Sequence, residues 1–343
     1  MSTPEISIVL PVYNAADYLL ECLRSISTQS FKNWELIAIN DGSTDNSLQI
    51  LKNFARNEHR MHVISRENRG MVATLNEGIK FAQGEWIARM DADDVCHIDR
   101  LEKQLAWAIK QNADVCGGGI ARTGSTGGNS WVFPSSNEGI YTWMLFRSAF
   151  AHPTVMIRRK IALQFPYNEK FTYSQDYELW TRMALAKVSM TNYPATVLNY
   201  RIHSEQVSHT KKEAQTNLRM EITRNYWSHS ELSQNLTFLP CLMDERKPIK
   251  KNDFIEVMRI LNILETGLND TQAIHAVNHH RVWFVYRSIH LGLKTIMPAL
   301  KKMRLSTAKK FAVAILATFR AGGVIDFFRN ADWIRYLPLN WFF

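Results

Sequence analysis

Residues 86–94 read Trp-Ile-Ala-Arg-Met-Asp-Ala-Asp-Asp, a largely apolar run that ends in three carboxylates within four positions. The first five residues have the length and character of a buried β-strand. This strand leads directly into Asp91. Acids that follow an apolar strand in this way indicate a functional edge of a sheet, and the elements around them decide the fold.

The residues before this stretch alternate between short apolar runs and helical periods. We expect strands at residues 6–10, 34–39 and 62–65, and helices at 16–29, 45–57 and 71–83. Such alternation across short connections is typical of a parallel α/β sheet, in which ligands bind at the carboxyl ends of the strands. Three polar clusters follow three of these strands: residues 11–14, 41–43 and 91–94.

The acidic cluster has the chemistry of a cation site. Hard divalent cations prefer oxygen ligands and bridge phosphate oxygens. In an extended segment Asp91 and Asp93 project on the same side. Capping of the helix expected at 100–111, by Asp94 or Asp99, accounts for one acid but not for three together. The metal or phosphate interpretation is therefore preferred.

Beyond Asp94 the pattern is less regular. We expect strands at 115–119 and near 196–201, and helices at 176–186 and 211–235. The glycines at 117–119 and the segment 124–128 predict a flexible stretch. From about residue 245 the chain reads as helical, with a different composition, which predicts a boundary between residues 235 and 245.

Composition excludes several classes of protein. With 46% hydrophobic and 21% charged residues the chain is globular. Its net charge of +9 lies in residues 281–343, which carry 11 Lys/Arg and 2 Asp/Glu. A nucleic-acid enzyme more often spreads basic residues around its cleft, so nucleic acid is not an expected partner.

The four cysteines show neither CxxC pairing nor zinc spacing, which fits a reducing cytoplasm. Cys22 and Cys116 lie in apolar runs and are expected in the core. No basic segment precedes the first apolar run, so a signal peptide is not expected. No run of 18 apolar residues predicts a helix that spans a membrane.

The basic C-terminal region has two open interpretations. Phe311, Ile315 and Phe319 share one helical face. Basic residues flank them: Lys301, Lys302, Arg304, Lys309 and Lys310. The region either binds peripherally to the cytoplasmic face of the inner membrane, or it forms a helical subdomain with a solvated basic face.

Several segments now support a resemblance by their order and spacing. They are residues 8–14 (Ile-Val-Leu-Pro-Val-Tyr-Asn), 40–45 (Asn-Asp-Gly-Ser-Thr-Asp), 67–70 (Glu-Asn-Arg-Gly), 90–94 (Met-Asp-Ala-Asp-Asp), 152–158 (His-Pro-Thr-Val-Met-Ile-Arg), 174–180 (Ser-Gln-Asp-Tyr-Glu-Leu-Trp) and 200–203 (Tyr-Arg-Ile-His). Each is weak alone. Together they resemble the family 2 inverting glycosyltransferases with the GT-A fold, in particular those of bacterial O-antigen and capsule synthesis.

The resemblance covers about residues 5–210. It implies an α/β GT-A catalytic domain over residues 1–240, with a mostly parallel central sheet flanked by helices. The nucleotide-sugar half is expected at 1–115 and the acceptor half at 116–240. A helical, basic C-terminal region is expected at 241–343.

The resemblance also implies a site for a UDP-sugar donor. Asp41 would accept a hydrogen bond from the uracil imide, since an ionised carboxylate only accepts. A turn role in Asp-Gly-Ser explains Asp41 equally well. Tyr13 would lie near the base. The other implied donor contacts are Pro11, Val12, Asn14, Asn68, Arg69, Gly70, Asp91, Ala92 and Arg201.

A divalent cation, Mn²⁺ or Mg²⁺, is implied at Asp93, with His203 as a second ligand. A lone histidine is as often a surface or packing residue, so His203 keeps both interpretations. Inverting transfer needs one base that removes the acceptor proton, and the resemblance places it at Asp176. The alternative is that Asp176 only begins a helix.

The implied acceptor site contains His152, Trp180 and Glu178. Trp180 either stacks on a hexose or belongs to the core. The expected reaction moves a hexose or N-acetylhexosamine, with a β-linkage, to a saccharide on undecaprenyl diphosphate during synthesis of lipopolysaccharide or a related polymer. Two alternatives stay open: a nucleotidyltransferase, which would usually show a Gly-rich loop after the first strand, and a non-catalytic saccharide-binding protein.

Overall fold

The computed structural model describes residues 3–124, 130–202, 212–244, 248–291 and 293–302. Contacts between residues divide the chain into two compact units, with the boundary between Ile222 and Thr223. The first unit contains the sheet and the second is helical. The domain limits expected from the sequence stay a prediction.

The described residues of the first unit form a sheet of nine strands. The strands are β1 Ile6–Val12, β2 Trp34–Asp41, β3 Met61–Arg66, β4 Trp86–Arg89, β5 Val95–Cys96, β6 Val115–Gly124, β7 Ser130–Trp131, β8 Met156–Arg158 and β9 Met190–Ile202. The order is β3-β2-β1-β4-β8-β6-β9-β5, with β7 paired to β6. Six strands run in one direction, and β5, β7 and β8 run against them. This architecture confirms the expected α/β class with a mostly parallel sheet.

Helices lie on both faces of this sheet. The helices are α1 Ala16–Ser27, α2 Ser47–Ala55, α3 Met71–Phe81, α4 Arg100–Lys110, α5 Asn137–Trp143, α6 Arg159–Gln164, α7 Gln175–Leu185 and α8 Lys212–Ser228, which crosses into the second unit. Short 3₁₀ turns lie at His152–Thr154 and Glu169–Phe171. Ile8 and Leu10 of β1 pack in one buried cluster with residues of α1, α2 and α4. Val9, on the opposite face, lies against α3 at Gly78.

The structure confirms the strand predicted at 115–119 but not the flexibility predicted for the glycines at 117–119. They lie in β6, at the centre of the sheet, where partners surround them. A Cβ on Gly118 would lie 2.6 Å from Val197 Cγ2, and one on Gly119 would lie 2.8 Å from the Trp131 oxygen. These positions need glycine because neighbouring atoms occupy the space of a side chain.

The second unit is helical in its described part, as expected. Its helices are α9 Leu239–Met243, α10 Lys251–Thr266, α11 Thr271–Arg287 and α12 Leu293–Lys302, with 3₁₀ turns at Ser233–Phe238 and Ile289–Leu291. The rings of Phe254 and Phe284 stack at 5.9 Å. Arg281, buried in α11, pairs with Glu265 at 2.6 Å.

Within the described ranges, every helix is too short or too polar to cross a lipid bilayer. Residues 303–343 and the side chains of Lys301 and Lys302 lie outside these ranges. Both interpretations of the basic C-terminal region therefore stay predictions.

Candidate active site

The three polar clusters lie on one edge of the sheet, as predicted. In the sheet order β2-β1-β4, strand β1 pairs in parallel with both neighbours. The segments 11–14, 41–43 and 91–94 therefore emerge from adjacent carboxyl ends. A site assembled from three loops needs each loop to be held in place, and each is held differently.

The first loop is tied to the loop after β2. Asn14 Oδ1 accepts from the Thr44 N–H at 2.8 Å, and the Asn14 N–H donates to Ser43 Oγ at 3.0 Å. Tyr13 lies between the end of β1 and Asn14, and it is 54% exposed. Pro11 and Val12 are buried. The Val12 side chain belongs to the core, so only the backbone of Val12 could contact a nucleotide-sugar.

Asp41 lies at the end of β2 inside a dense network. Its Oδ1 accepts from the Arg69 N–H at 2.8 Å and from Arg66 Nη1, and its Oδ2 accepts from the Gly70 N–H at 2.9 Å. The side chains of Asn68 and Arg69 are exposed beside it. Arg66 was missed by the sequence reasoning. The signal for it is the parallel register that pairs Asp41 with Arg66 across β2 and β3.

Close approach fixes the turn that follows Asp41. Gly42 has φ +73°, and a Cβ there would lie 2.6 Å from the backbone nitrogen of Asn68. Both the left-handed backbone and this contact require glycine. The turn therefore brings the Asn68–Gly70 backbone onto the Asp41 carboxylate.

Three carboxylates meet in the loop after β4. Oxygens of Asp91, Asp93 and Asp94 lie within 4.8 Å of one another. Neither Asp94 nor Asp99 caps α4. Asp99 makes no side-chain hydrogen bond to the first turn of the helix and pairs with Lys103. Asp94 Oδ1 accepts from the Arg201 N–H at 2.9 Å. The capping alternative for this cluster is therefore wrong. Ala92, 8% exposed, packs in the core, so it too offers only its backbone.

A buried arginine, which the sequence reasoning missed, lies next to this loop. Arg89, at the end of β4, forms an ion pair with Asp91 through both of its terminal nitrogens, and its side chain is 7% exposed. Burial raises the pKa of Asp91 to about 6, and the charges of Asp93 and Asp176 add to this while Arg89 opposes it. A charged residue inside an otherwise apolar strand was the available signal.

The acidic cluster fits a hard divalent cation. All three groups offer carboxylate oxygen, which Mg²⁺ and Mn²⁺ accept. Asp94 Oδ2 is buried and has no hydrogen-bond partner among the described residues. Burial and the charges of Asp91 and Asp93 raise the pKa of Asp94 well above its ordinary value. A cation bound between the three carboxylates would satisfy this buried oxygen and offset their negative charge.

Asp176 lies in the first turn of α7, where its charge raises the pKa of Asp91. Burial raises the pKa of Asp176 itself, and its backbone hydrogen bonds and Arg89 act in the opposite direction. A raised pKa suits a general base because it approaches the working pH. Glu178 is already committed, since Arg182 donates to its two oxygens at 3.0 and 2.9 Å.

The aromatic residues that the sequence predicted at the acceptor site form a buried group. Tyr167, which the sequence reasoning missed, is linked to His152 by a 2.7 Å hydrogen bond between the Tyr167 oxygen and His152 Nε2. Burial, with a smaller effect of the Arg89 charge, lowers the pKa of His152 well below its ordinary value, which favours the neutral ring. Trp180 is fully buried against Phe150 and His152. The prediction that Trp180 stacks on a sugar is therefore corrected: it lies on the inner face of α7, in the core.

Arg201 lies against the acidic loop. Its Nε donates to the Asp93 carbonyl at 3.0 Å, and its Nη2 pairs with Glu21 at 2.5 Å. The Glu21 side chain is 62% exposed. His203, the other candidate near the cation, lies outside the described residues.

Comparisons with known proteins agree with this architecture. A family model described as glycosyl transferase family 2 matches residues 7–176. An uncharacterized glycosyltransferase of Haemophilus influenzae is 30% identical over 222 residues, which cover 59% of this chain and 89% of that protein. The putative teichuronic acid biosynthesis glycosyltransferase TuaG of Bacillus subtilis is 30% identical over 215 residues, which cover 62% of this chain and 84% of TuaG.

Two solved structures share the fold. Residues 1–349 of S. aureus TarS, in complex with UDP-GlcNAc, match with a TM-score of 0.56 and 18% identity over 91% of this chain and 89% of that chain. The mannosyltransferase PcManGT of Pyrobaculum calidifontis, in complex with GDP-Man and Mn²⁺, matches with a TM-score of 0.55 and 14% identity over 99% and 83%. The two relatives and the family model show that this chain belongs to glycosyl transferase family 2 and is a glycosyltransferase, and its sheet and helices have the GT-A fold.

Proposed function

We propose that this glycosyltransferase moves a hexose or N-acetylhexosamine from a UDP-sugar to a hydroxyl of a saccharide acceptor, with inversion at the anomeric carbon. One observation carries the proposal. Asp176 lies in the first turn of α7, and its charge raises the pKa of Asp91, whose loop shares a sheet edge with Asp41 and Tyr13. A donor on this edge would have a base within reach of its sugar.

The donor side supports a nucleoside diphosphate sugar. The exposed Tyr13 ring offers a stacking surface, and the Asp41 carboxylate offers an acceptor for an imide N–H. TarS has been solved with UDP-GlcNAc, and this supports UDP as the nucleotide here. Arg201 would contact the diphosphate after exchanging its exposed partner Glu21, because guanidinium pairs well with phosphate oxygens.

Asp93, with Asp91 or Asp94 beside it, would hold Mn²⁺ or Mg²⁺, and His203 stays a candidate for the same ion. When bound, the cation supplies positive charge that stabilises the departing diphosphate. PcManGT has been solved with Mn²⁺, which supports manganese as the ion to test first.

The reaction is a single displacement. The Asp176 carboxylate accepts the proton of the acceptor hydroxyl as that oxygen bonds to the anomeric carbon. The bond from this carbon to the diphosphate oxygen breaks on the opposite side, and its electron pair leaves with the nucleoside diphosphate. The configuration therefore inverts, and an α-linked donor gives a β-linkage.

The acceptor is proposed to be a saccharide on undecaprenyl diphosphate at the inner membrane, in the synthesis of a bacterial surface polysaccharide such as O-antigen. The name of TuaG and the basic C-terminal region support this setting. Cell fractionation of the full chain and of a chain that ends at residue 299 tests the membrane part. Equal membrane recovery of both would contradict it.

The test of the function is a screen of UDP-glucose, UDP-galactose and their N-acetyl forms for Mn²⁺-dependent release of UDP. Asp93→Ala should lose this activity, and the matched control Asp99→Ala, at a partly exposed acid that pairs with Lys103 before α4, should keep it. Product NMR should show a β-anomer from an α-donor. Retained configuration, or equal turnover by Asp93→Ala, would contradict the mechanism. The family membership gives no support to a nucleotidyltransferase or to a non-catalytic protein.

A further inference from the structure

The Asp41 carboxylate has little capacity left for a ligand. An ionised carboxylate offers about four lone-pair positions. Arg66 and the Arg69 N–H occupy Oδ1, and the Gly70 N–H occupies one position on Oδ2. Once these partners from the described residues are counted, one lone-pair position of the carboxylate is left to accept a hydrogen bond from a ligand, and it lies on Oδ2.

Arg66 is itself fixed by α3. Its Nε donates to Glu77 Oε2 at 2.6 Å, and its Nη2 donates to Thr74 Oγ1 at 2.9 Å. Its side chain is 15% exposed. Because every nitrogen of the guanidinium has a partner, Arg66 cannot rotate away to free Oδ1 without breaking contacts to α3.

Bases differ in the donors that they present at the edge that a carboxylate reads. Uracil and thymine present one imide N–H. Guanine presents an N–H and an amino group side by side, which pair with both oxygens of a carboxylate. Adenine and cytosine place a ring acceptor there, which a carboxylate repels. A donor that is buried without a partner loses the hydrogen bond it had in water, so a site with one acceptor position discriminates against guanine.

We propose that Arg66 is a specificity-determining residue, which restricts Asp41 to one acceptor and so selects a base with one imide N–H over guanine. The inference rests on the proposed UDP-sugar function and assigns base selection to the contact between Arg66 and Asp41. Arg66 is a positioning residue, since it acts through Asp41.

The test is calorimetric binding of UDP, dTDP and GDP, each with Mg²⁺. The wild type should bind both UDP and dTDP more tightly than GDP, with GDP at least ~30-fold weaker than UDP, which is the scale expected for one polar donor buried without a partner. Arg66→Met frees Oδ1, so the gap between UDP and GDP should narrow about tenfold. The control Arg60→Met, at an arginine that precedes β3 and pairs with Glu58, should leave the gap unchanged.

Two further measurements separate selection from mere support of the fold. Arg66→Met should raise the donor KM and leave kcat at saturation unchanged, because base binding is the same in the ground and transition states. Glu77→Gln loosens Arg66 without removing it and should narrow the gap in the same direction by a smaller factor. A purely structural role would lower the melting temperature and kcat while the ratio of UDP to GDP affinity stays constant.

A wild type that binds GDP as well as UDP would overturn the inference. So would an unchanged ratio in folded Arg66→Met, or in Glu77→Gln if Arg66→Met does not fold. A different result would refute the proposed function. If the wild type prefers UDP but transfers no sugar from any UDP-sugar, the donor assignment is wrong while the role of Arg66 in base selection still holds.

Discussion

The four parallel strands β3-β2-β1-β4 and the mixed strands β8-β6-β9-β5 hold their site residues by different contacts. On the parallel side, polar loops are tied by hydrogen bonds to backbone groups, as at Asn14 and Asp41. On the mixed side, the rings of Tyr167 and Trp180 are each buried against His152. The site residues of the parallel side are thus held by hydrogen-bond geometry and those of the mixed side by packing, and substitutions on the two sides should fail in different ways.

The largest effect is expected where both sides meet. Asp176→Asn removes the proposed base but keeps the size of the side chain, so kcat should fall by roughly 10³-fold, as is usual when a general base is lost. Steady-state kinetics measure this. Glu169→Gln, at an exposed acid of the preceding 3₁₀ turn, is the control and should stay near wild type. Full turnover by Asp176→Asn would place the base elsewhere.

The next effect concerns the buried ion pair of Arg89 and Asp91. Arg89→Met leaves the Asp91 charge without its partner and should lower the free energy of unfolding by about 3 kcal/mol. The double variant Arg89→Met/Asp91→Asn should recover part of this loss in urea titrations, because the unpaired charge is gone. Lys103→Met, in an exposed pair, should cost less than about 1 kcal/mol. Strictly additive losses would show that the two residues are not coupled.

A smaller loss is expected at the turn beside Asp41. Gly42→Ala forces an alanine into a left-handed backbone and against Asn68, at a cost of about 1–3 kcal/mol. Because the turn positions Asp41, the donor KM should rise as well. Gly267→Ala is the control, since Gly267 has φ −83° and only ordinary contacts. Equal behaviour of the two variants would refute the strain argument.

The smallest effect on catalysis is expected at Trp180. Trp180→Phe shrinks a core side chain but also removes a buried indole N–H that has no partner among the described residues, so the stability loss should stay near 1–2 kcal/mol. The acceptor KM should not change. A large rise in this KM with the fold intact would restore the stacking role that the structure does not support.

The pH profile tests Asp176 without any substitution. A base acts only when deprotonated, and burial raises the pKa of this carboxyl. The acidic limb of kcat should therefore lie above the ordinary pKa of aspartate, about 3.9, with activity lost as the pH falls through the raised value. A limb at the ordinary value would show that the base is solvated.

The two sides also differ in how far the sequence predicts them. Strands β1 and β2 are seven and eight residues of continuous burial, and each is followed by a helix, so their pattern is visible in the chain. Strands β5, β7 and β8 have two or three residues and no visible period. Their place depends on pairing with distant residues, which a local pattern does not contain.

The same contrast holds for single residues. Asp91 and Asp93 could be predicted because acids after an apolar strand are unusual. The roles of Arg66 and Arg89 could not, because their partners are set by strand register and burial. Trp180 could have been assigned to the core from the sequence, since Tyr177, Trp180 and Ala184 recur at helical spacing and all are buried.

The three glycines of β6 have a consequence for engineering this enzyme toward new acceptors. Each lies so close to a neighbouring strand or turn that any side chain would displace it. A mutant library that randomises 117–119 should therefore yield almost no folded members. Variation is better placed at Val132, which is 52% exposed and lies next to Gly119. This part of the sheet thus contains positions that tolerate substitution beside positions that do not.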